Sequence, residues 1–181
     1  MTRADPLEVL TDRDVSTATV HTFSTRVETE GKATSQARSG RCWLFACLNI
    51  MRLSVIEKYG LDADFELSQS FLHFYDKLER ANYFFENVIA TAAEPLDGRV
   101  VHHLLSDPMM DGGQWDMVVS LVKKYGVVPK AAYPEAHTSG LSFRMNRLLN
   151  NKLRQHAAEL RDAAAGGAAP GALRGMKAGP S

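Results

Sequence analysis

Apolar residues recur at helical spacing in several stretches of this chain, and polar or Gly/Pro-rich segments separate them. The first stretch, residues 42–59, begins Cys-Trp-Leu-Phe-Ala-Cys-Leu-Asn-Ile-Met. Its first half is apolar almost all round, which predicts a central helix buried on more than one side. Charges appear from Arg52 onward, and Glu57-Lys58 followed by Gly60 form a stop signal. A second helix is predicted to open at Ser68, a good N-cap, ahead of Phe71, Leu72, Tyr75 and Leu78, and to run to near Ala93. Glu94-Pro95-Leu96-Asp97-Gly98 reads as a turn, and residues 99–106 as a short apolar helix or turn ended by Asp107-Pro108.

Asp111-Gly112-Gly113 reads as a glycine hinge feeding a third long helix, with an apolar stripe at Trp115, Val118, Val119 and Val122 and an end at Gly126. Both tryptophans, Trp43 and Trp115, are expected in the core. Val127-Val128-Pro129 and Tyr133-Pro134 are extended. Residues 142–162 are helical again, with Met145, Leu148, Leu149 and Leu153 on one face. Four regions follow: an N-terminal arm (1–35), where Val15, Val20, Phe23 and Val27 form short extended or docking pieces; a helical body (36–140); a further helical segment (141–162); and an Ala/Gly/Pro-rich tail (163–181), expected to be disordered.

Lys plus Arg and Asp plus Glu both number 21, so no net field favours nucleic acid or an acidic surface. The N-terminus has no apolar signal region, and its early acids Asp5, Glu8, Asp12 and Asp14 argue against a transit peptide. No stretch approaches the roughly 18 apolar residues that a membrane span needs. The two cysteines, Cys42 and Cys47, fall on different faces of one helix, which disfavours a disulfide and fits a reducing compartment. Neither a metal nor a cofactor is expected: His102-His103 lacks a third ligand at standard spacing, and the other four histidines, His73 among them, stand alone in the sequence.

The chemistry concentrates in Gln36-Ala37-Arg38-Ser39-Gly40-Arg41-Cys42-Trp43. A thiol in the first turn of a helix faces unpaired N–H groups and the positive end of the dipole, which favours the reactive thiolate. Gly40 lets backbone approach closely beside it. Gln36 carries a neutral side-chain N–H donor which, with the Cys42 backbone N–H, would form a two-donor oxyanion hole. Cys47, mid-helix among apolar residues, is expected to be structural.

The spacing Gln-x5-Cys-Trp, with Gly two residues before the cysteine, resembles the nucleophile segment of papain-like cysteine proteases. The form Ser-Gly-Arg-Cys-Trp-Leu-Phe is similar to the bleomycin hydrolase branch. Ser39 stands where secreted papain-type enzymes usually carry a disulfide cysteine. Leu67-Ser68-Gln69-Ser70, Asp111-Gly112-Gly113-Gln114-Trp115-Asp116-Met117, Tyr125-Gly126-Val127-Val128-Pro129-Lys130 and Tyr133-Pro134-Glu135 resemble further segments of that branch, in order.

This resemblance implies an α+β papain-like fold, of which the chain holds mainly the α-helical half around a central buried helix, with the β-rich half missing. It implies a cysteine aminopeptidase acting on peptide substrates, the bleomycin amide and homocysteine thiolactone. Cys42 would be the nucleophile, Gln36 the oxyanion donor, and Gly112 and Gly113 the substrate-backbone wall. Residues 141–162 would begin a helical insertion. The implied assembly is a homohexamer in the cytoplasm, with a mitochondrial location and nucleic-acid binding in some members, and no membrane association. The catalytic His and Asn would lie downstream of this chain, since none of its six histidines sits in a matching segment. The chain alone is therefore expected to be inactive; the alternative is a noncatalytic fragment that associates with full-length subunits.

Overall fold

The computed structural model describes residues 4–25 and 31–177. Val27 and residues 178–181 lie outside them. The chain divides into two compact units, Met1–Glu30 and Gly31–Ser181.

In the first unit, two short helices replace the expected extended pieces: α1 (Pro6–Leu10) and α2 (Arg13–Ala18). Aspartates start both. Asp5 accepts from the Leu7 N–H at 2.9 Å, and Asp12 accepts from Asp14 and Val15 N–H at 2.9 and 3.3 Å. These caps satisfy amides that would otherwise be orphaned, a signal that apolar periodicity alone does not carry.

The second unit is built on α3 (Cys42–Tyr59), α4 (Gln69–Ala90), α5 (Arg99–Ser106), α6 (Trp115–Tyr125), α7 (His137–Gly140), α8 (Phe143–Ala165) and α9 (Pro170–Met176). Both predicted ends of α3 hold, and Gly60 closes it in the left-handed conformation at φ 61°. Ser68 caps α4, its hydroxyl accepting from Phe71 N–H at 3.1 Å. Among the described residues no strand forms. The extended segment after α6 makes a single antiparallel bridge, Leu67 to Pro129, flanked by Ser68 N–H to Val128 O and Lys130 N–H to Glu66 O, each 2.9 Å. No helix of the described chain is long and apolar enough to cross a membrane.

Two apolar clusters form, and α4 contributes to both. Leu44 and Leu48 of α3 pack with Leu67, Leu72 of α4, and Val118 and Leu121 of α6. Farther along α4, Phe84, Phe85 and Val88 pack with Met109, Leu153, Ala157 and Leu160 of α8, and Leu173 of α9. Between the two, α4 buries polar side chains, Ser70, His73, Asp76 and Lys77. Some sequence-assigned core positions face outward instead. Trp115 is 67% exposed because α6 turns Val118 and Leu121 inward, and Leu78 and Leu148 are exposed for the same rotational reason. On α3 the apolar surface is only partly covered: Ile50 is 70% exposed.

The expected disordered tail is instead ordered through Lys177. Gly166-Gly167 ends α8 with Gly167 at φ 89°, Gly167 N–H bonded to Ala164 O at 2.9 Å and Ala168 N–H to Ala163 O at 3.0 Å, the paired bonds that reverse a chain after a helix. The reversal starts α9 with Pro170 in its first turn and seats Leu173 against α4 and α8. Arg174 and Lys177 then pair with Glu86 at 3.0 and 2.8 Å. Alanines 163, 164 and 168 let the backbones approach, so one leucine suffices to anchor the segment. Leu173→Ala is expected to cost about 3 kcal/mol by urea unfolding, the usual range for deleting a buried leucine; a midpoint unchanged from the native chain would mean the tail is not docked.

Candidate active site

Cys42 is the first residue of α3 and is exposed. The residue before it, Arg41, occupies the N-cap position at φ −90°, ψ 17° and gives no side-chain cap. Its carbonyl takes both Leu44 and Phe45 N–H, each at 3.0 Å. The Cys42 and Trp43 amides are left without an acceptor among the described residues, and they sit beside the thiol. A Ser, Thr or Asp in the cap position would have aimed an acceptor at this end of the helix. An arginine cannot.

The arginine instead turns inward. Arg41 is essentially fully buried, with its guanidinium forked onto Glu135 at 2.9 and 3.0 Å. Nε donates to Ser39 Oγ at 2.7 Å and one terminal nitrogen to Ser70 Oγ at 3.3 Å, while the Phe45 ring lies 5.1 Å from the guanidinium carbon. Burial raises the Glu135 carboxyl, but hydrogen bonds from Arg41 and Ser139 outweigh it and hold the group below the ordinary range. Ahead of Arg41 the chain makes a tight turn: Ser39 N–H and Oγ both reach Gln36 O, at 3.3 and 2.8 Å, and Ala37 takes the left-handed conformation at φ 53°. That conformation is strained for alanine. A bond from Arg38 N–H to Gly140 O, 2.9 Å, helps hold it.

Gln36 lies in that turn, half-buried, and its side-chain oxygen is buried with no hydrogen-bond partner. Among the described residues no bond holds its amide. Cys47 is half-buried with its sulfur 3.8 Å from that of Met51, and burial pushes its thiol up. The two thiols of one helix thus differ: one open, one enclosed.

The Gly112–Gly113 segment adjoins the nucleophile turn. A Cβ at Gly113 would fall 2.5 Å from the Trp43 indole, and one at Gly40 would fall 2.9 Å from the Asp111 Cβ. Both glycines therefore allow close packing within the protein itself, and at Gly113 this stands beside the role expected of it as substrate wall. At Gly112 there is open space. Trp43, half-buried, donates its indole N–H to the Asp111 carbonyl at 2.8 Å.

Asp111, read from sequence only as part of a hinge, proves to be a hub. Its carboxylate accepts from Lys77 at 2.6 Å, Asn146 at 2.7 Å, the Gly40 N–H at 3.3 Å and the Ser142 hydroxyl. His73 Nε2 lies 3.4 Å away, so this buried histidine does not stand alone as its sequence context suggested. Arg80 donates to Gly112 O, and is itself held by Asp76 at 2.8 Å. Burial raises the Asp111 carboxyl, yet the bonds from His73, Lys77, Ser142 and Asn146 outweigh it and leave the group far below the usual carboxylate range. Lys77 is lowered by burial, only partly offset by Asp111. Part of this belt was legible in the sequence, where Ser70, His73 and Lys77 recur at helical spacing along an α4 that carries other polar residues as well. Arg41 gave no such signal, because its partner is remote in the chain.

No histidine bonds to Cys42 among the described residues. His21, His102, His103 and His137 are exposed, and His156 lies 6.0 Å from the Phe85 ring.

Two predictions follow from these buried charges. Arg41→Ala should destabilise the fold by about 2 kcal/mol, since truncation empties the buried space the side chain fills and strips Ser39 and Ser70 of a donor, while the Glu135 carboxylate, 30% exposed, can return to water; denaturant unfolding measures it, and a loss below about 0.5 kcal/mol would assign the pair no structural weight. Because the folded Asp111 carboxyl is depressed, its stabilisation is present above the unfolded value near pH 4 and is lost as pH falls below it. The stability gap between the native chain and Asp111→Asn should accordingly narrow below about pH 4; a gap that stays constant into strong acid would contradict this assignment.

Comparison with known proteins places this architecture. A model of the Peptidase C1-like family matches residues 1–178. The chain is 50% identical to bleomycin hydrolase from Gallus gallus over 169 residues, which is 92% of this chain and 37% of that protein. It is 55% identical to aminopeptidase C from Listeria monocytogenes over 141 residues, 78% of this chain and 32% of that one. The crystal structure of PepW from Lactobacillus rhamnosis HN001 superposes with a TM-score of 0.85 at 46% identity, covering 92% of this chain and 37% of PepW. The chain thus spans about a third of the length of these relatives, and by sequence and fold together it belongs to the Peptidase C1-like family, the cysteine peptidases that include bleomycin hydrolase and aminopeptidase C.

Proposed function

We propose that this chain carries the nucleophile-bearing, helical half of a cysteine aminopeptidase, with Cys42 as the attacking group. The observation that carries the reading is the open thiol at a helix start with no side-chain cap, beside two amides without acceptors among the described residues. In the proposed reaction the Cys42 sulfur attacks the scissile carbonyl carbon. The carbonyl oxygen takes up the charge between the Cys42 N–H and the Gln36 amide, whose side chain no bond holds among the described residues. The C–N bond then breaks, the amine leaves with a proton, and water hydrolyses the thioester to release the acid and regenerate the thiol.

Gly112 and Gly113 would pair with the peptide backbone. The open space at Gly112 supports this, although Gly113 also serves the packing of Trp43. Proton transfer needs an imidazole, which we assign to the β-rich half implied by family resemblance, since no histidine of the described residues bonds to Cys42. That half would also cover the exposed apolar surface of α3 around Ile50. Peptides and the bleomycin amide follow the relatives' names as substrate classes, and homocysteine thiolactone is added from the family resemblance as a further acyl donor. A cytoplasmic homohexamer completes the proposal.

Alkylation of the folded chain with iodoacetamide at mildly acidic pH, followed by peptide mapping, tests the nucleophile. Cys42 should be modified well before Cys47, whose thiol is enclosed and raised by burial. Modification of Cys47 first would overturn the assignment. The chain alone should show no aminopeptidase turnover.

A further inference from the structure

A nucleophile and the backbone that aligns its substrate must be held in fixed relation, and here they sit on segments far apart in sequence. Among the described residues, Asp111 joins the two sides of that gap. Asp111 immediately precedes Gly112–Gly113, and from there it reaches the nucleophile turn twice: its carboxylate takes the Gly40 N–H at 3.3 Å, and its carbonyl takes the Trp43 indole N–H at 2.8 Å.

On its other side Asp111 is anchored to two helices. Lys77 and His73 of α4, Asn146 of α8 and the Ser142 hydroxyl just before α8 surround the carboxylate. Five donors around two oxygens, which offer about four lone-pair sites, leave it no rotation that does not drop a bond. The approach is also sterically tight, with no room for a Cβ at Gly40 or at Gly113.

We propose that Asp111 is a positioning residue for peptide-directed chemistry at Cys42: it locks the nucleophile turn to the Gly112–Gly113 backbone and so sets the alignment of thiol and peptide. The proposal rests on the reading of Cys42 as nucleophile and of Gly112–Gly113 as the peptide wall. Asp111 touches neither substrate nor sulfur in this scheme; it acts through Gly40, Trp43 and the glycines.

The test compares two electrophiles on the full chain. A peptidyl vinyl sulfone needs the wall to reach the thiol, whereas iodoacetamide needs only an exposed thiol. The ratio of their labelling rates at Cys42 reports alignment, and labelling of Cys47 reports loosening of the fold. In Asp111→Asn the ratio should fall about tenfold, given that a misplacement near 1 Å can cost up to about a hundredfold. Cys47 labelling should stay unchanged. Asn146→Ala provides a second variant that removes one donor together with an amide oxygen already buried without a partner, so its cost to folding is small. It should lower the ratio about threefold, equivalent to losing part of one hydrogen bond.

An unchanged ratio in folded Asp111→Asn, or in Asn146→Ala where the first variant does not fold, overturns the proposal. So does a fall accompanied by equally faster labelling of Cys47, which would mark general loosening. If the native chain itself shows no preference of the vinyl sulfone for Cys42 over Cys47, the nucleophile reading fails before Asp111 is altered.

Discussion

Burying a carboxylate is tolerable only when donors replace the water it loses, and the centre of this molecule is arranged around that requirement at Asp111. The donors come from α4, from the start of α8 and from the turn before α3, so satisfying one charge brings three distant parts of the chain to one point. The apolar clusters could form on either side of this point without fixing how α3 is set against the loop before α6. Hydrophobic contact is non-directional. Hydrogen bonds to a fixed carboxylate are not, and they supply the register that packing leaves open.

Arg41 plays the matching part for positive charge. Its fork onto Glu135 ties the residue beside the thiol to the segment leading into α7, and Ser39 and Ser70 complete its donors' partners. Two opposite charges thus fix the nucleophile turn, Arg41 from within it and Asp111 from outside. The thiol needs no bond of its own to be placed. It stays free because its neighbours are held.

Much of this was legible in the sequence. The bounds of α3 followed from its apolar run and Gly60, and the start of α4 from Ser68, because a cap and a stop act locally. The enclosure of Cys47 followed from its apolar neighbours in mid-helix. The failures came where the deciding partner was remote. Nothing near Trp115 shows that α6 turns Leu121 inward, and nothing near Arg41 points to Glu135. The tail after Ala163 looked too poor in apolar residues to fold, yet Gly166-Gly167 is itself a helix-end signal, and Leu173 finds a surface that α4 and α8 have already formed. Composition measures what a segment can bury by itself, not what a prepared surface can accept.

The uncapped start of α3 carries a final consequence. Helix ends are usually mended with a small polar side chain, a local gain of about 1 kcal/mol that here would come at the loss of the buried Arg41 side chain and its fork onto Glu135. A hydroxyl or carboxylate at position 41 would also place an acceptor beside the thiol, where the start of α3 leaves the Cys42 and Trp43 amides without one among the described residues. Stability and receptivity therefore meet at a single residue: Arg41 ties the turn inward and, by turning away, leaves the helix start open.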